Sequence, residues 1–119
     1  MWEVDVELVA DWLRGLDGDS YLQVMAAVRI LARFGPGLGR PLVDTIEHSR
    51  HKNMKELRPG SSGRSEIRIL FAFDPKRRGI CLVAGDKQGK WAKWYRKHVP
   101  IADELYDQHL KKLKEEQDG

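Results

Sequence analysis

The sequence predicts an α+β domain in which helices pack on a small, largely antiparallel sheet. Apolar and polar residues alternate with a period of two in residues 2–8 and 66–73, as in half-buried strands. Apolar residues recur at spacings of three and four in residues 20–34 and 100–113, as in helices. The complete order is β-α-α-β-β-β-α. Because 119 residues suffice for one core but not for two, we expect a single domain over residues 1–119.

The N-terminal part predicts a strand over residues 2–8 and a short helix that ends near residues 15–18. Residues 20–23 have the form of a capping box, which predicts the start of a second helix. Gly35 and Pro36 end that helix, and the two helices are expected to form an antiparallel hairpin. The predicted apolar stripe of the second helix consists of Tyr21, Val24, Met25, Val28, Leu31 and Ala32.

The C-terminal part predicts three strands and one helix. A connection rich in Gly and Pro, residues 36–50, precedes them. The strands are predicted over residues 53–58, 66–73 and 80–84. The last of them is apolar on both faces, which favours a position inside the sheet. A basic and aromatic stretch, residues 86–98, then leads to a helix that begins near Pro100.

The charged residues are strongly segregated along the chain, although the formal net charge is only +3. Residues 1–49 carry 4 Lys and Arg against 8 Asp and Glu. Residues 50–98 carry 14 against 4, and residues 99–119 carry 3 against 6. Clustered positive charge favours a polyanion such as a nucleic acid, which binds Lys and Arg by Coulomb attraction and counterion release. The alternative is a solvated basic face that the acidic ends balance.

The sequence argues against a membrane protein and against a disulfide-stabilised one. Cys81 is the single cysteine, which excludes an intrachain disulfide and a thiolate zinc cluster. No apolar run approaches the roughly 20 residues that cross a bilayer, and the acidic N-terminus does not resemble a signal peptide. The basic residues are not predicted on an amphipathic helix, so a membrane surface is not an expected partner. We therefore expect a cytoplasmic protein.

Metal and cofactor sites are not expected either. His48 and His51 stand beside Arg50 and Lys52, whose positive charges oppose a dication. Cys81 lies in an apolar run that is typical of core. The sequence contains no glycine motif for a nucleotide or dinucleotide. The expected chemistry therefore uses no metal and no cofactor.

What remains is a set of cations and aromatic rings. Arg68 lies on the strand face opposite Ile67 and Ile69, and basic residues of the neighbouring strand are expected beside it. Such groups can hold a phosphodiester and stabilise charge on phosphorus, and aromatic rings can stack on unpaired bases. His51 and His98 are candidate proton carriers. The residues predicted to contact RNA are Arg64, Lys90, Trp91, Lys93, Trp94 and Arg96.

Several short segments together resemble the RelE/ParE superfamily of toxins, in its HigB-like, phage-derived branch. These segments are residues 53–58, 64–69 and 82–87 and the closing helix. The resemblance covers nearly the whole chain and implies a RelE-like fold. It also implies the toxin half of a toxin–antitoxin pair, an endoribonuclease that cuts mRNA on the translating ribosome without a metal. The ribose 2′-hydroxyl would attack the adjacent phosphate, and side chains would supply charge stabilisation and proton transfer.

The resemblance also implies which residues carry the chemistry. Lys55, Arg58 and Arg68 match positions that grip phosphate, and Lys87 matches the basic position after the central strand. Tyr95 or His98 fills the aromatic or histidine position nearer the C-terminus. We expect these cations to gather on one sheet face.

The resemblance implies partners and leaves alternatives open. The expected partners are mRNA, the ribosome and a cognate antitoxin of the helix-turn-helix type. One alternative is a ParE-like poison of DNA gyrase, which shares the fold without the RNA chemistry. The other is a relative that binds its partner and does not catalyse a reaction.

Overall fold

The computed structural model describes residues 1–60 and 66–118, and within these residues five strands form one sheet. The strands are β1 (Glu3–Asp5), β2 (Val43–Thr45), β3 (Lys55–Leu57), β4 (Ile67–Phe73) and β5 (Arg78–Asp86). The helices are α1 (Ala10–Arg14), α2 (Gly18–Phe34) and α3 (Trp91–Asp118). Short 3-10 turns occupy Glu7–Val9 and Gly35–Gly37.

The spatial order of the strands is β1-β5-β4-β3-β2. β1 runs parallel to β5, and the other neighbouring pairs are antiparallel. The prediction of a largely antiparallel α+β sheet is therefore confirmed, and so is the interior position of β5. In β5, Leu82 is an extra residue between the partners of Leu70 and Phe71, which makes a β-bulge.

Helices cover both faces of the sheet. On one face, α1 and α2 pack on the side chains of Ile67, Ile69 and Phe71. On the other face, α3 packs on Leu70 and Ala72. The period-two alternation of β4 is confirmed, because it sends neighbouring residues into two different apolar clusters.

The N-terminal boundaries differ from the prediction. The first strand ends at Asp5, not near residue 8, because the Asp5 carboxylate accepts a hydrogen bond from the Glu7 N–H (2.9 Å) and turns the chain. The predicted capping box at residues 20–23 is wrong. Asp17 caps α2 instead, since its carboxylate accepts hydrogen bonds from the Ser20 N–H (2.8 Å) and the Ser20 hydroxyl (2.9 Å).

The stripe of α2 is confirmed at Val24, Val28 and Leu31, whereas Met25 and Ala32 are only half-buried. Val24 and Leu31 are fully buried, whereas Tyr21 is 42% exposed. Gly35 ends the helix with a φ of 66°, as the sequence predicts. The connection over residues 36–50 contains β2, a strand that the Gly and Pro signals concealed.

The largest correction concerns α3, which begins at Trp91 and not near Pro100. Pro100 lies inside the helix, where proline costs about 3 kcal/mol. Burial of Trp94 and Val99 against the sheet offsets that cost. Residues 91–98 therefore lie on a helix. The expectation that the basic residues of this stretch lie outside an amphipathic helix, which argued against a membrane surface as a partner, is wrong. Along the residues that the structure describes, no helix combines the length and the apolar character that crossing a membrane requires.

Candidate active site

One sheet face carries a buried carboxylate between two arginines. Glu56 on β3 stands opposite Leu70 of β4, so Glu56 and Arg68 share the face under α3. Arg58, two residues after Glu56, extends along the same face. Glu56 is 6% exposed, and Arg68 is 7% exposed.

Glu56 organises the groups around it. Its Oε1 lies 3.9 Å from Nε of Arg58 and 3.9 Å from Nε of Arg68. Its Oε2 accepts a 2.6 Å hydrogen bond from the hydroxyl of Tyr95 on α3. The second oxygen thus fixes a phenol while the first faces two guanidinium groups. Asp44 of β2 adds a further contact, 3.8 Å from Nη1 of Arg58.

Arg68 has hydrogen-bonding capacity to spare. Its Nη1 donates to the carbonyl of Ile67 at 2.8 Å. Its buried Nε finds no hydrogen-bond partner among the described residues. A buried donor in this state costs about 1–3 kcal/mol, so an acceptor that reached this N–H would recover that free energy.

Lys87 completes the cluster from the end of β5. Its side chain is only 2% exposed, and its Nζ lies 3.1 Å from the centroid of the Trp91 ring and 5.4 Å from that of Tyr95. Burial lowers the pKa of the Lys87 ammonium, and the nearby charge of Arg68 lowers it further. Burial raises the pKa of the Tyr95 hydroxyl, and the hydrogen bond to Glu56 adds to that increase. At neutral pH Tyr95 is therefore a donor and not a phenolate.

The structure brings together four of the six residues predicted as catalytic. We call them, with Glu56, the cation cluster: Glu56, Arg58, Arg68, Lys87 and Tyr95. Glu56 was missed at the sequence level, although the alternation of β3 places it on the face of Arg58. The expected common face is wrong for Lys55, which stands opposite Phe71 on the other side of the sheet. Its Nζ donates to the carbonyl of Pro36 at 3.1 Å.

His98 lies beside the cluster but contacts other groups. Its ring stacks on Trp94 at 4.3 Å, and its Nδ1 is 2.8 Å from the Trp94 carbonyl oxygen. His51 lies in the loop between β2 and β3, and its Nε2 is 2.7 Å from a carboxylate oxygen of Asp107, farther along α3.

The residues predicted to contact RNA occupy different environments. Trp91 is 52% exposed at the start of α3, whereas Trp94 is 7% exposed and packs against Gly85. Lys90, Lys93 and Arg96 are exposed. Arg64 lies outside the described residues.

A three-layer arrangement of this strand order, with a cation cluster under the long C-terminal helix, defines a RelE-like domain. The chain belongs to the family described as "Phage derived protein Gp49-like (DUF891)", whose model matches residues 11–107. It is a HigB-like member of the RelE superfamily. The resemblance inferred from the sequence is therefore confirmed.

Two relatives come from Mycobacterium tuberculosis (strain ATCC 25618 / H37Rv). The chain is 58% identical to the protein named "Putative toxin HigB2" over 109 residues, which cover 92% of this chain and 54% of that protein. It is 48% identical to "Putative toxin HigB3" over 102 residues, which cover 86% of this chain and 87% of that protein. The chain thus spans about half the length of the first relative. No solved structure is significantly similar to the chain.

Proposed function

We propose that the chain is the toxin of a toxin–antitoxin pair and that it cleaves mRNA on the ribosome. The observation that carries this proposal is the cation cluster. Two arginines and a neutral phenol contact one buried carboxylate under α3, and Lys87 lies against the ring of that phenol. This set contains a group for each task in attack of a ribose 2′-hydroxyl on the adjacent phosphate.

The roles follow from charge and position. Arg58 and Arg68 are permanently charged and stabilise the additional negative charge on the phosphoryl oxygens. Glu56 is the carboxylate of the cluster, and it accepts the proton of the attacking 2′-hydroxyl. Lys87 has a lowered pKa, which makes its ammonium a better proton donor to the departing 5′-oxygen. Tyr95 holds Glu56 in place by donating to Oε2.

The reaction balances without a further reagent. The 2′-oxygen forms a bond to phosphorus as the bond to the 5′-oxygen breaks. One proton leaves the 2′-hydroxyl, and one is delivered to the 5′-oxygen. The products are a 2′,3′-cyclic phosphate, which water can open to a 3′-phosphate, and a free 5′-hydroxyl.

The test compares two double variants that remove the same charge. In Arg68→Ala/Lys87→Ala two of the three cluster cations are lost, and in the control Lys55→Ala/Lys76→Ala two cations outside the cluster are lost. We expect wild type and control to arrest growth and to cut mRNA in purified translation reactions. The cluster variant should lose at least about 100-fold in cleavage rate. Equal cleavage by both double variants would refute the assignment.

Because Arg68 and Lys87 are buried, their double variant can fail to fold. Arg58→Gln/Tyr95→Phe changes groups nearer the surface and provides a second test, with circular dichroism to verify the fold. Omission of ribosomes tests ribosome dependence. Accumulation of cleaved, gyrase-bound DNA with intact mRNA would replace the nuclease by a gyrase poison.

The proposal extends to partners. Membership in a toxin family supports a cognate antitoxin, for which a helix-turn-helix protein is our expectation. We place the site of action in the cytoplasm, beside the ribosome, as part of the same proposal. Co-expression of a neighbouring helix-turn-helix reading frame should suppress growth arrest and co-purify with the chain. Unchanged arrest together with no co-purification would contradict this pairing.

A further inference from the structure

A groove adjoins the cation cluster and shares Tyr95 with it. The groove lies between the loop that carries Glu47 and His48 and the first turns of α3, where Val99 and Pro100 give it mostly apolar walls. Its volume is about 420 Å³, within the roughly 300–1,000 Å³ of small-ligand pockets. A smaller cavity of about 230 Å³ joins Glu47, His48 and Tyr95 to Glu56. A ligand bound at the cluster can therefore reach into the groove past Tyr95.

The loop that forms one wall is fixed to α3. Asp103 accepts hydrogen bonds from the Ser49 hydroxyl (2.5 Å) and the Arg50 N–H (3.0 Å). His51 contacts Asp107 two turns from the groove. His48 has a φ of 68°, a left-handed conformation that is uncommon outside glycine and recurs at functional sites. The groove is therefore shaped before a ligand arrives.

The rim of the groove presents both acceptors and donors. The exposed carboxylate of Glu47 is an acceptor, and the exposed guanidinium of Arg96 is a donor. Pro100 has no N–H, so the carbonyl of Arg96 loses the partner that an α-helix would otherwise supply. Apolar walls with a few polar groups at the rim suit a flat, heterocyclic ligand.

The geometry points to a nucleobase subsite in this groove that prefers guanine. The inference rests on the proposed function, because it takes single-stranded RNA as the ligand of the adjacent cluster. Guanine presents N1–H and N2–H side by side, and one carboxylate such as that of Glu47 accepts both. Its O6 accepts from a guanidinium such as that of Arg96. Uracil has a carbonyl on each side of its single ring N–H, so a carboxylate there meets repulsion.

Nucleotide binding tests this subsite independently of catalysis. NMR titration would measure the affinities of wild type for guanosine 3′-monophosphate and uridine 3′-monophosphate. We expect the guanosine nucleotide to bind about tenfold more tightly. Glu47→Gln should reduce that ratio to near one. Ala92→Phe, which fills the groove, should weaken guanosine 3′-monophosphate about tenfold. The matched control is Glu115→Gln, on the exposed end of α3, and it should preserve the ratio.

The outcomes separate the subsite from the nuclease. Equal affinities in wild type, or an unchanged ratio in Glu47→Gln, would overturn the subsite and leave the proposed function standing if mRNA is cut. A guanine preference that depends on Glu47, in a protein that cuts no mRNA, would support the subsite and overturn the nuclease. Where both hold, the ends of cut mRNA should be enriched in guanine for wild type and for Glu115→Gln and not for Glu47→Gln.

Discussion

The hydroxyl of Tyr95 donates a 2.6 Å hydrogen bond to Oε2 of Glu56. This bond joins α3 to β3 across 39 residues of sequence. It also leaves the other carboxylate oxygen to face two arginines. The position of α3 on the sheet and the electrostatics of the cluster therefore depend on one another.

Tyr95→Phe removes this bond and little else. Because hydrogen bonds to charged groups contribute about 1.5–3 kcal/mol, and Tyr95 is partly exposed, we expect the free energy of unfolding to fall by about 1–2 kcal/mol. Urea unfolding at pH 7 measures this. Tyr21→Phe is the control, since Tyr21 is 42% exposed on α2. A loss no larger than that of the control would show that the Tyr95–Glu56 bond contributes nothing to stability.

Glu56→Gln keeps the shape of the side chain and removes its charge. Arg68 then remains buried without a nearby carboxylate, and removing one partner of a buried ion pair costs about 3–5 kcal/mol. Adding Arg68→Met should restore part of the loss, because it removes the unpaired charge. A thermodynamic cycle of the two single variants and the double variant measures the coupling. Additive losses would mean that the two side chains do not interact.

The site shows what a single sequence can and cannot predict. The alternation of β4 correctly places Arg68 opposite the apolar face of Ile69. Alternation along β3 likewise puts Lys55 and Arg58 on opposite faces of the sheet, whereas the family motif predicts them on the same face. The contribution of α3 could not be predicted, because Pro100 signals a helix start and only tertiary packing of Trp94 and Val99 carries the helix back to Trp91. Glu47 and His48 approach α3 because the next residues, Ser49 and Arg50, donate hydrogen bonds to Asp103, and such long-range bonds leave no periodic signal in the sequence.

Gly85→Ala should displace Trp94 and, through it, the neighbouring Tyr95 of the cation cluster. Gly85 stands opposite Arg68, and a methyl group there would lie 2.8 Å from Nε1 of Trp94. The indole must move, and the first turns of α3 move with it, so the proposed RNA cleavage should fall at least about tenfold. The control is Gly39→Ala, where an added methyl meets no described atom within 4 Å. Equal cleavage by the two variants would show that Trp94 adjusts without shifting Tyr95.

Lys87 should make stability depend on alkaline pH. Burial lowers the pKa of its ammonium below 10.5, followed by the effect of Arg68. Between the folded-state pKa and 10.5 the unfolded chain binds more protons at this residue, so its contribution to stability rises with pH in that window. Lys87→Met lacks this rise. The free energy of unfolding of wild type relative to Lys87→Met should therefore increase from pH 8 toward pH 10.5.

The matched control for this comparison is Lys97→Met, which removes an exposed lysine from α3. Wild type and Lys97→Met should keep a constant difference over the same range. A constant difference between wild type and Lys87→Met as well would show that the buried ammonium suffers no penalty on folding. Urea titrations at each pH provide both comparisons.

Asp74 should stabilise the packing of α3 at His109, and this stabilisation should disappear at acid pH. Burial by itself would raise the pKa of Asp74, but the hydrogen bond from His109, the Arg78 N–H and the Arg78 charge hold it below 3.8. Nε2 of His109 lies 2.8 Å from Oδ2 of Asp74, whose side chain is fully buried. Because the folded-state pKa is lowered, the stabilisation is complete well above pH 3.8 and is lost as pH falls through the folded-state pKa.

Asp74→Asn should therefore cost about 2 kcal/mol at pH 7, and the difference from wild type should shrink as pH falls from 3.8 toward the folded-state pKa, because protonation removes the charge that distinguishes Asp74 from Asn. Asp11→Asn is the control, because Asp11 pairs with Arg14 on an exposed surface where ion pairs contribute little. Unfolding free energies at pH 7 and pH 3 decide the matter. If the Asp74→Asn deficit persists undiminished at pH 3, Asp74 stabilises the fold through its shape and not through its charge.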